Sequence, residues 1–391
     1  MAKNLEFYKG SRKKRNYWLI PFVIGLGLIT LLVVLFYGMQ KYAVISKDGV
    51  EVVLPGMKRE VATTVDSEGH TVRVFDEVPT TLVFDAPDYS RIQATAGKNL
   101  QSVRAIYIAA EDINEDNLME KAGRLNDGNA LMLEMKPRSG ALVWTSASSL
   151  ALNYGLFYQS QLTDSIPDLI AKVKSYGTDN EKDIYMVAEV CCCIDSLLPA
   201  RSLNFALKST YGVDYKDDKG TYLDPYNPEL RNYIVELVQE LYDMGFDEVV
   251  LRDVVHPVVQ TQEGQESFEF VYSSEMSTTP NPVNAVCGFA IYVANALADR
   301  GADKRLSIYV DTPRSLVRAD EGTGQDQTLF MKIYDRVYYR TDMYTFTYNL
   351  QDIENSGSVV IGDMHDRFVP VVINYLPKNS SWIYIEDLPN T

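Results

Sequence analysis

From Val103 onward the chain repeats one pattern: a short apolar run, a longer amphipathic stretch, then another apolar run. "VRAIYIAA" (Val103–Ala110) reads as a buried strand, and "NEDNLMEKAGRLND" after it as a helix with Leu118, Ala122 and Leu125 at helical spacing. "NALMLEMK" (Asn129–Lys136) is the next strand, and "SIPDLIAKVKSYG" a helix closed by Gly177. "DIYMVAEVCCCID" (Asp183–Asp195) is a third strand, followed by a helix that starts at Pro228 and Glu229 and stops at Gly245. "FDEVVLRDVVHP" (Phe246–Pro257) opens as an acidic turn, becomes an apolar strand and ends on Arg252 and Asp253. "AVCGFAIYVANALADRG" is a helix and "RLSIYVD" (Arg305–Asp311) a strand; "YDRVYYR", "VPVVINYL" and "WIYIED" are further strands. Apolar strands separated by helices pair in parallel, because the crossover helices cover both faces of the sheet. At least five such alternations predict an α/β fold, a (β/α)8 TIM-type barrel over residues 101–391. Its C-terminal end is expected to be irregular, since little helix separates the last two strands. No G-x-G-x-x-G opens a helix after a strand, and neither G-x-x-x-x-G-K-[ST] nor G-x-S-x-G occurs.

The N-terminal part is of a different kind. Tyr17–Met39 is a 23-residue stretch without a charge. At about 1.5 Å per residue it is long enough to span a hydrocarbon core of roughly 30 Å. Tyr17, Trp18 and Tyr37 sit near its ends, where aromatic rings favour the membrane interface. A cleaved signal peptide is the alternative, but its apolar region runs to about 7–15 residues and no small-x-small site follows closely here. Residues 1–40 carry six bases against Glu6, a net charge of +5, while the whole chain is −16, so residues 41–391 carry −21. Basic flanks remain in the cytoplasm. The expected organisation is therefore a cytoplasmic basic tail (1–16), a single membrane-spanning signal anchor (17–39), a juxtamembrane segment with short strands (40–100), and an extracellular barrel. Within the juxtamembrane segment, "TVRVFDEV" and "TTLVFDAP" read as strands.

A domain of charge −21 does not bind nucleic acid by neutralising phosphates, and it is repelled by anionic polymers except where local bases intervene. The four cysteines are Cys191, Cys192, Cys193 and Cys287. Three adjacent thiols match no zinc or redox spacing, so they read as small apolar filler, with a disulfide from Cys287 to one of the three left open. The three histidines, His70, His256 and His365, are far apart. No metal and no cofactor is expected.

In such barrels chemistry sits at the C-terminal ends of the strands. Those positions hold Glu134 and Lys136, Glu189 and Asp195, Arg252 and Asp253, Asp311 and Arg314, Arg340 and Asp342, then Asn374 and Tyr375. Carboxylates recurring round one rim suit glycoside hydrolysis, which needs two of them about 5–5.5 Å or 6.5–9.5 Å apart, one protonated and one ionised. Asp253 and Asp311 are the expected pair, supported by Glu134 and Glu189. Lys136, Arg252, Asp342, Tyr339 and Tyr375 are expected to touch substrate. Glu134 and Glu189 lie inside apolar strands, where an unpaired carboxylate is costly, so a buried ion pair with Lys136 or Arg252 is the competing reading. Asp195 reads equally as the cap of the helix that follows it. Tyr-rich strands such as "VYYRTDMYTFTYN" suit a glycan cleft, and are also simply good strands.

Four ordered blocks carry a resemblance: "RLNDGNALMLEMKPRSGALVW", "YLDPYNPELRNYIVELVQELYDMGFDEVVLRDVVHP", "RLSIYVDTPRSLVRADEGTGQD" and "YDRVYYRTDMY". Together they resemble the glycoside hydrolase domain family of bacterial envelope proteins, TIM barrels distantly related to α-amylase-type barrels. The resemblance implies a polysaccharide or oligosaccharide as partner, and envelope proteins as further partners. In the family pattern Glu134 stands at an Asp position, Lys136 matches, and Glu189 stands where Arg is common. The fourth-strand block of the family ends Phe-Asp-Tyr-x-Arg-Phe-Pro; here Arg252, Asp253 and Val255 take the Asp, Tyr and Arg positions. The family's Pro-Met-x-Tyr-Pro is absent. Two functions follow as expectations: a hydrolase acting on envelope or environmental polysaccharide, or a catalytically silent barrel that binds glycan or scaffolds an envelope complex. A purely structural partner of another membrane protein ranks third. A one-residue displacement on a strand reverses the face. Either a bulge returns Asp253 to the cleft, or Arg252 points inward and a cation occupies the acid's place.

Overall fold

A computed structural model describes residues 43–46, 49–52, 63–65, 71–73, 89–157, 165–259, 270–272, 281–310, 319–320, 322–341, 364–373 and 379–386. The chain divides into two units, Met1–Thr81 and Leu82–Thr391. In the first, Ala43–Ser46 pairs antiparallel with Gly49–Val52, and Thr63–Val65 with Thr71–Arg73. The apolar stretch Tyr17–Met39 lies outside the described residues. Among those that are described, no helix is long and apolar enough to cross a membrane.

The second unit is a closed barrel of eight parallel strands in chain order. They are β1 (Arg104–Ile108), β2 (Ala130–Lys136), β3 (Tyr185–Cys191), β4 (Glu248–Arg252), β5 (Arg305–Val310), β6 (Val337–Arg340), β7 (Phe368–Ile373) and β8 (Trp382–Ile385). Helices α1 (Glu115–Gly123), α2 (Ile166–Asp179), α3 (Pro228–Asp243), α4 (Pro282–Ala296) and α5 (Gln327–Ile333) follow the first five strands. Each helix opens on a short polar side chain that accepts a hydrogen bond from a backbone N–H of the first turn: Asn114, Ser165, Asn227, Asn281 and Asp326. Pro in the first turn of α2, α3 and α4 fixes the entry further. Helix α2 runs past Gly177, contrary to the expected stop. Gly177 is buried within it, and a Cβ there would lie 2.7 Å from the Lys182 carbonyl oxygen, so the glycine serves close packing rather than the cap.

The C-terminal end closes in spite of its short connection. Only residues 374–381 separate β7 from β8, yet β8 pairs with both β7 and β1. Alternate residues of each strand face the lumen or the helices. On β4, Val250 packs among the lumen residues Met132, Val187 and Tyr338, whereas Val249 and Leu251 join the outer core under the helices.

The base of the lumen holds a charge pair. Glu248 is two residues from Val250 and shares its face, so it enters the barrel instead of ending an acidic turn in solvent. Both it and its ion-pair partner Arg336 are fully buried. Its carboxylate also accepts from Ser307 Oγ (2.6 Å), Tyr338 OH (2.8 Å) and Tyr185 OH (3.1 Å). Arg336 Nε donates to the Asp366 carbonyl at 3.0 Å, and Nη2 to that of Gln101.

Candidate functional site at the barrel mouth

Strand β4 ends by turning Arg252 inward. Its side chain follows Val250 on the lumen face and meets acids from two neighbouring strands. Arg252 Nη2 lies 2.8 Å from Glu134 Oε1 on β2, and Nη1 lies 2.7 Å from Glu189 Oε1 on β3. Glu134 and Glu189 are register partners, so one guanidinium reaches both. Arg252 Nη1 also approaches Tyr107 OH of β1 at 3.4 Å. Burial alone would lower the Arg252 pKa, but Glu189 and Asp253 outweigh it, and the group stays charged.

Asp253 is held in the same layer from behind. Its backbone is left-handed, with φ of 53°, a conformation that costs a non-glycine residue about 1 kcal/mol or more. That turn brings the carboxylate back against the Arg252 Nε at 3.3 Å. Arg138, in the loop after β2, grips it bidentately at 2.8 and 2.7 Å, and Cys191 Sγ donates to it at 3.0 Å. Burial works against ionisation of Asp253, but the Arg138 hydrogen bonds and both guanidinium charges prevail and hold its pKa below the usual carboxylate value. Of the two alternatives drawn from the one-residue displacement, the second is met: Arg252 points inward, β4 keeps an unbroken register to its end, and a left-handed turn, not a bulge, buries Asp253 beside the guanidinium.

Lys136 does not join this layer. A register shift between Glu134 and Lys136 pairs Lys136 with Val190, whose side chain belongs to the outer core. The ammonium is fully buried, 2.7 Å from Asp195 Oδ2 and 3.0 Å from the Cys191 carbonyl. Asp195 also accepts from the backbone N–H groups of Leu197 and Leu198, so it caps and pairs at once. Gly140, at φ of 89°, makes room for it: a Cβ there would sit 1.9 Å from Asp195 Oδ1.

Tyr339 was expected at the mouth. It faces outward instead and stacks on Phe368, with ring centroids 5.9 Å apart, because its neighbour Tyr338 takes the lumen side. Asp311, Asp342 and Tyr375 lie outside the described residues, as do Arg314 and Asn374. All four cysteines are free and buried, so Cys287 pairs with none of the three. Burial raises every one of these thiol pKa values, Cys193 and Cys287 to about 12. Among the described residues no group of three or more His, Cys, Asp or Glu is arranged to hold a metal ion. Residues that the strand-end reading passed over are Tyr107, Arg138 and Cys191. Arg138 was within reach of that reading, two positions beyond Lys136 in a loop that opens at the mouth.

Glu189 is the group in this layer poised to change charge. Burial raises its pKa to about 7; Arg252 opposes the rise, while Glu134 and Asp253 add to it. A carboxyl raised on folding favours the folded state fully below its ordinary value of 4.5, and that contribution is lost as pH rises through about 7. Glu189→Gln removes the titration. The variant is therefore expected to gain roughly 3 kcal/mol relative to the parent between about pH 4 and pH 8, read from urea unfolding at each pH. Parallel curves for the two proteins would contradict the shift.

The arrangement limits the chemistry open to these acids. Side-chain exposure is 0% for Asp253, 2% for Glu189 and 12% for Glu134. Asp253 has its oxygens taken by Arg138, Arg252 and Cys191, and is not free to attack a sugar or activate water. Glu134 and Glu189 share one guanidinium lying between them, where a hydrolytic pair would need the glycosidic bond and water.

Solved structures similar in fold include a hypothetical protein from Ruminiclostridium thermocellum, 20% identical, TM-score 0.41, over 52% of this chain and 96% of that one. The GH36 α-galactosidase AgaA of Geobacillus stearothermophilus is 10% identical, TM-score 0.47, over 76% of this chain and 40% of that one. The α-galactosidase of Lactobacillus brevis is 13% identical, TM-score 0.46, over 74% and 38% respectively. The chain thus spans about two fifths of the length of these α-galactosidases. No curated protein matches it significantly. A family model does, over residues 105–350, from β1 past β6. On that match, which covers more than half of its length, the chain belongs to the family described as "Putative glycosyl hydrolase domain".

Proposed function

We propose that this protein is a membrane-anchored, extracellular glycoside hydrolase-like barrel that binds a polysaccharide or oligosaccharide at its strand-end mouth without cleaving it. One observation carries the choice of binding over hydrolysis: Arg252 lies between Glu134 and Glu189 and is bonded to both. Family membership supports a saccharide as the ligand. The basic residues 1–16 followed by the uncharged Tyr17–Met39 support the anchor, with the acidic barrel outside. Envelope proteins are the natural further partners of a barrel so tethered.

A second reading rests on Glu189. A carboxyl with a pKa near 7 is what a general acid requires, and Glu134 would then act as the ionised partner once a bound sugar had drawn Arg252 aside. The test is to offer envelope and environmental polysaccharides to the full-length protein and measure retention and release of reducing ends together. Retention without release is expected. Release that disappears in Glu189→Gln would replace the first reading by the second, and absence of both would remove the saccharide. Orientation is tested on intact cells, where added protease is expected to remove the barrel and leave an N-terminal tag untouched.

A further inference from the structure

We propose that the mouth selects an acidic saccharide, one bearing a carboxylate such as a uronic acid, and that Arg138 is the residue that grips it. This rests on the saccharide-binding reading and narrows it. A guanidinium has two planar edges, each able to meet a carboxylate with two parallel N–H bonds. Arg138 gives one edge, Nε and Nη2, to Asp253 at 2.8 and 2.7 Å. The other edge, Nη1 with the second hydrogen of Nη2, has no partner among the described residues, and the side chain is 36% exposed. The other two bases of the cluster are closed. Arg252 spends Nη2, Nη1 and Nε on Glu134, Glu189 and Asp253, and Lys136 is fully buried against Asp195.

The free edge is held in place from both ends. Arg138 is the second residue of a tight turn, 137–140, closed by the Gly140 N–H on the Pro137 carbonyl at 3.0 Å, and the Ser196 N–H donates to the Arg138 carbonyl at 3.1 Å. Its guanidinium is fixed by Asp253, which is fully buried and is itself anchored by Cys191 Sγ and Arg252 Nε. Asp253 takes its left-handed backbone to reach this position, and residues kept in such conformations cluster at ligand sites. A base already fixed at main chain and fork loses little freedom when it binds. Its open edge matches the two coplanar oxygens of a carboxylate. Glu189, raised to about 7, is mostly protonated at about pH 6. Glu134 and Asp253 then balance Arg252 and Arg138, and an anion meets no net negative charge in this layer. Repulsion from the acidic domain as a whole is screened beyond about 8 Å at physiological salt.

Titration calorimetry of the full-length protein in detergent micelles tests this at about pH 6 with two probes: oligomers of galacturonic acid, and the same oligomers as methyl esters. The acid is expected to bind at least about tenfold more tightly than the ester, the scale of a hydrogen bond to a charged group. In Arg138→Lys that ratio is expected to fall to about twofold or less, because an ammonium engaged with Asp253 has no second edge to offer. A readout that needs no variant is modification by phenylglyoxal, which attacks guanidinium groups. The acid is expected to shield Arg138, followed by peptide mass, and the ester to leave it reactive. Equal binding of the two probes, or tighter binding of the ester, overturns the carboxylate preference and leaves the saccharide reading standing. A preference that persists in Arg138→Lys, or an Arg138 that stays reactive with the acid bound, overturns the assignment of the residue. If neither probe binds, the acidic saccharide is ruled out, and retention of neutral polysaccharides decides the saccharide reading by itself.

Discussion

Arg336→Met is expected to lower unfolding free energy by about 3–5 kcal/mol, the usual cost of leaving a buried charge without its partner. Glu248 would keep its bonds from Ser307, Tyr338 and Tyr185. Three neutral donors do not replace a guanidinium for a carboxylate that no water reaches. The Arg336 hydrogen bonds to the Asp366 and Gln101 carbonyls would go as well, leaving two buried acceptors short. Urea denaturation at neutral pH measures the loss, and the double change Glu248→Met with Arg336→Met separates its causes. If the charge imbalance dominates, the double variant recovers most of the stability, because apolar side chains of similar volume often replace a buried pair at little cost. A single-variant loss below about 1 kcal/mol would mean that the lumen base relaxes or admits water.

At the opposite end of the lumen, Arg252→Met is expected to cost a similar amount, about 3–5 kcal/mol, with a different dependence on pH. Here one cation serves Glu134, Glu189 and Asp253. Without it Arg138 can hold only Asp253, and the two glutamates face each other in register with no charge between them. Glu189, already raised to about 7, would rise further, so much of the loss should be recovered below about pH 5, where Glu189 is protonated. Arg252→Lys tests the geometry separately from the charge. An ammonium is a point donor and cannot span three acids as a planar fork does, so lysine is expected to restore less than half of the lost stability. Full rescue by lysine would show that charge alone, and not the fork, organises the mouth.

The barrel was legible in the chain because its strands are apolar on both faces and its helices begin on Asn, Ser or Asp, often with Pro next. Those are local signals, and the structure uses them as such. The ion pair of Glu134 and Glu189 with Arg252 was legible too, since carboxylates inside apolar strands must find a cation. Lys136 as its alternative partner was misjudged for want of the bulge after Glu134, which strand alternation does not announce. Glu248 was hidden for the converse reason. Next to Asp247 it looks like part of an acidic turn, whereas Asp247 bonds outside the lumen to Lys174 and the Met186 N–H while Glu248 turns inward. Arg336 gave no sign of its role, because its partner comes from a strand 88 residues away. Cys191 read as filler, and its thiol is a hydrogen-bond donor to Asp253.

The strained turn at Asp253 bears on how such a mouth could change over evolutionary time. An Asp at position 252 would set a fourth carboxyl among Glu134, Glu189 and Asp253 with only Arg138 to oppose them. That intermediate is expected to be less viable than either endpoint. Position 253 would have to lose its acid first, and Arg138 its reason to be there with it. Substitutions at 138, 252 and 253 are therefore expected to be inherited as a set. A lineage that has fixed Arg252 is held to it by its neighbours, and the order of steps matters as much as their number.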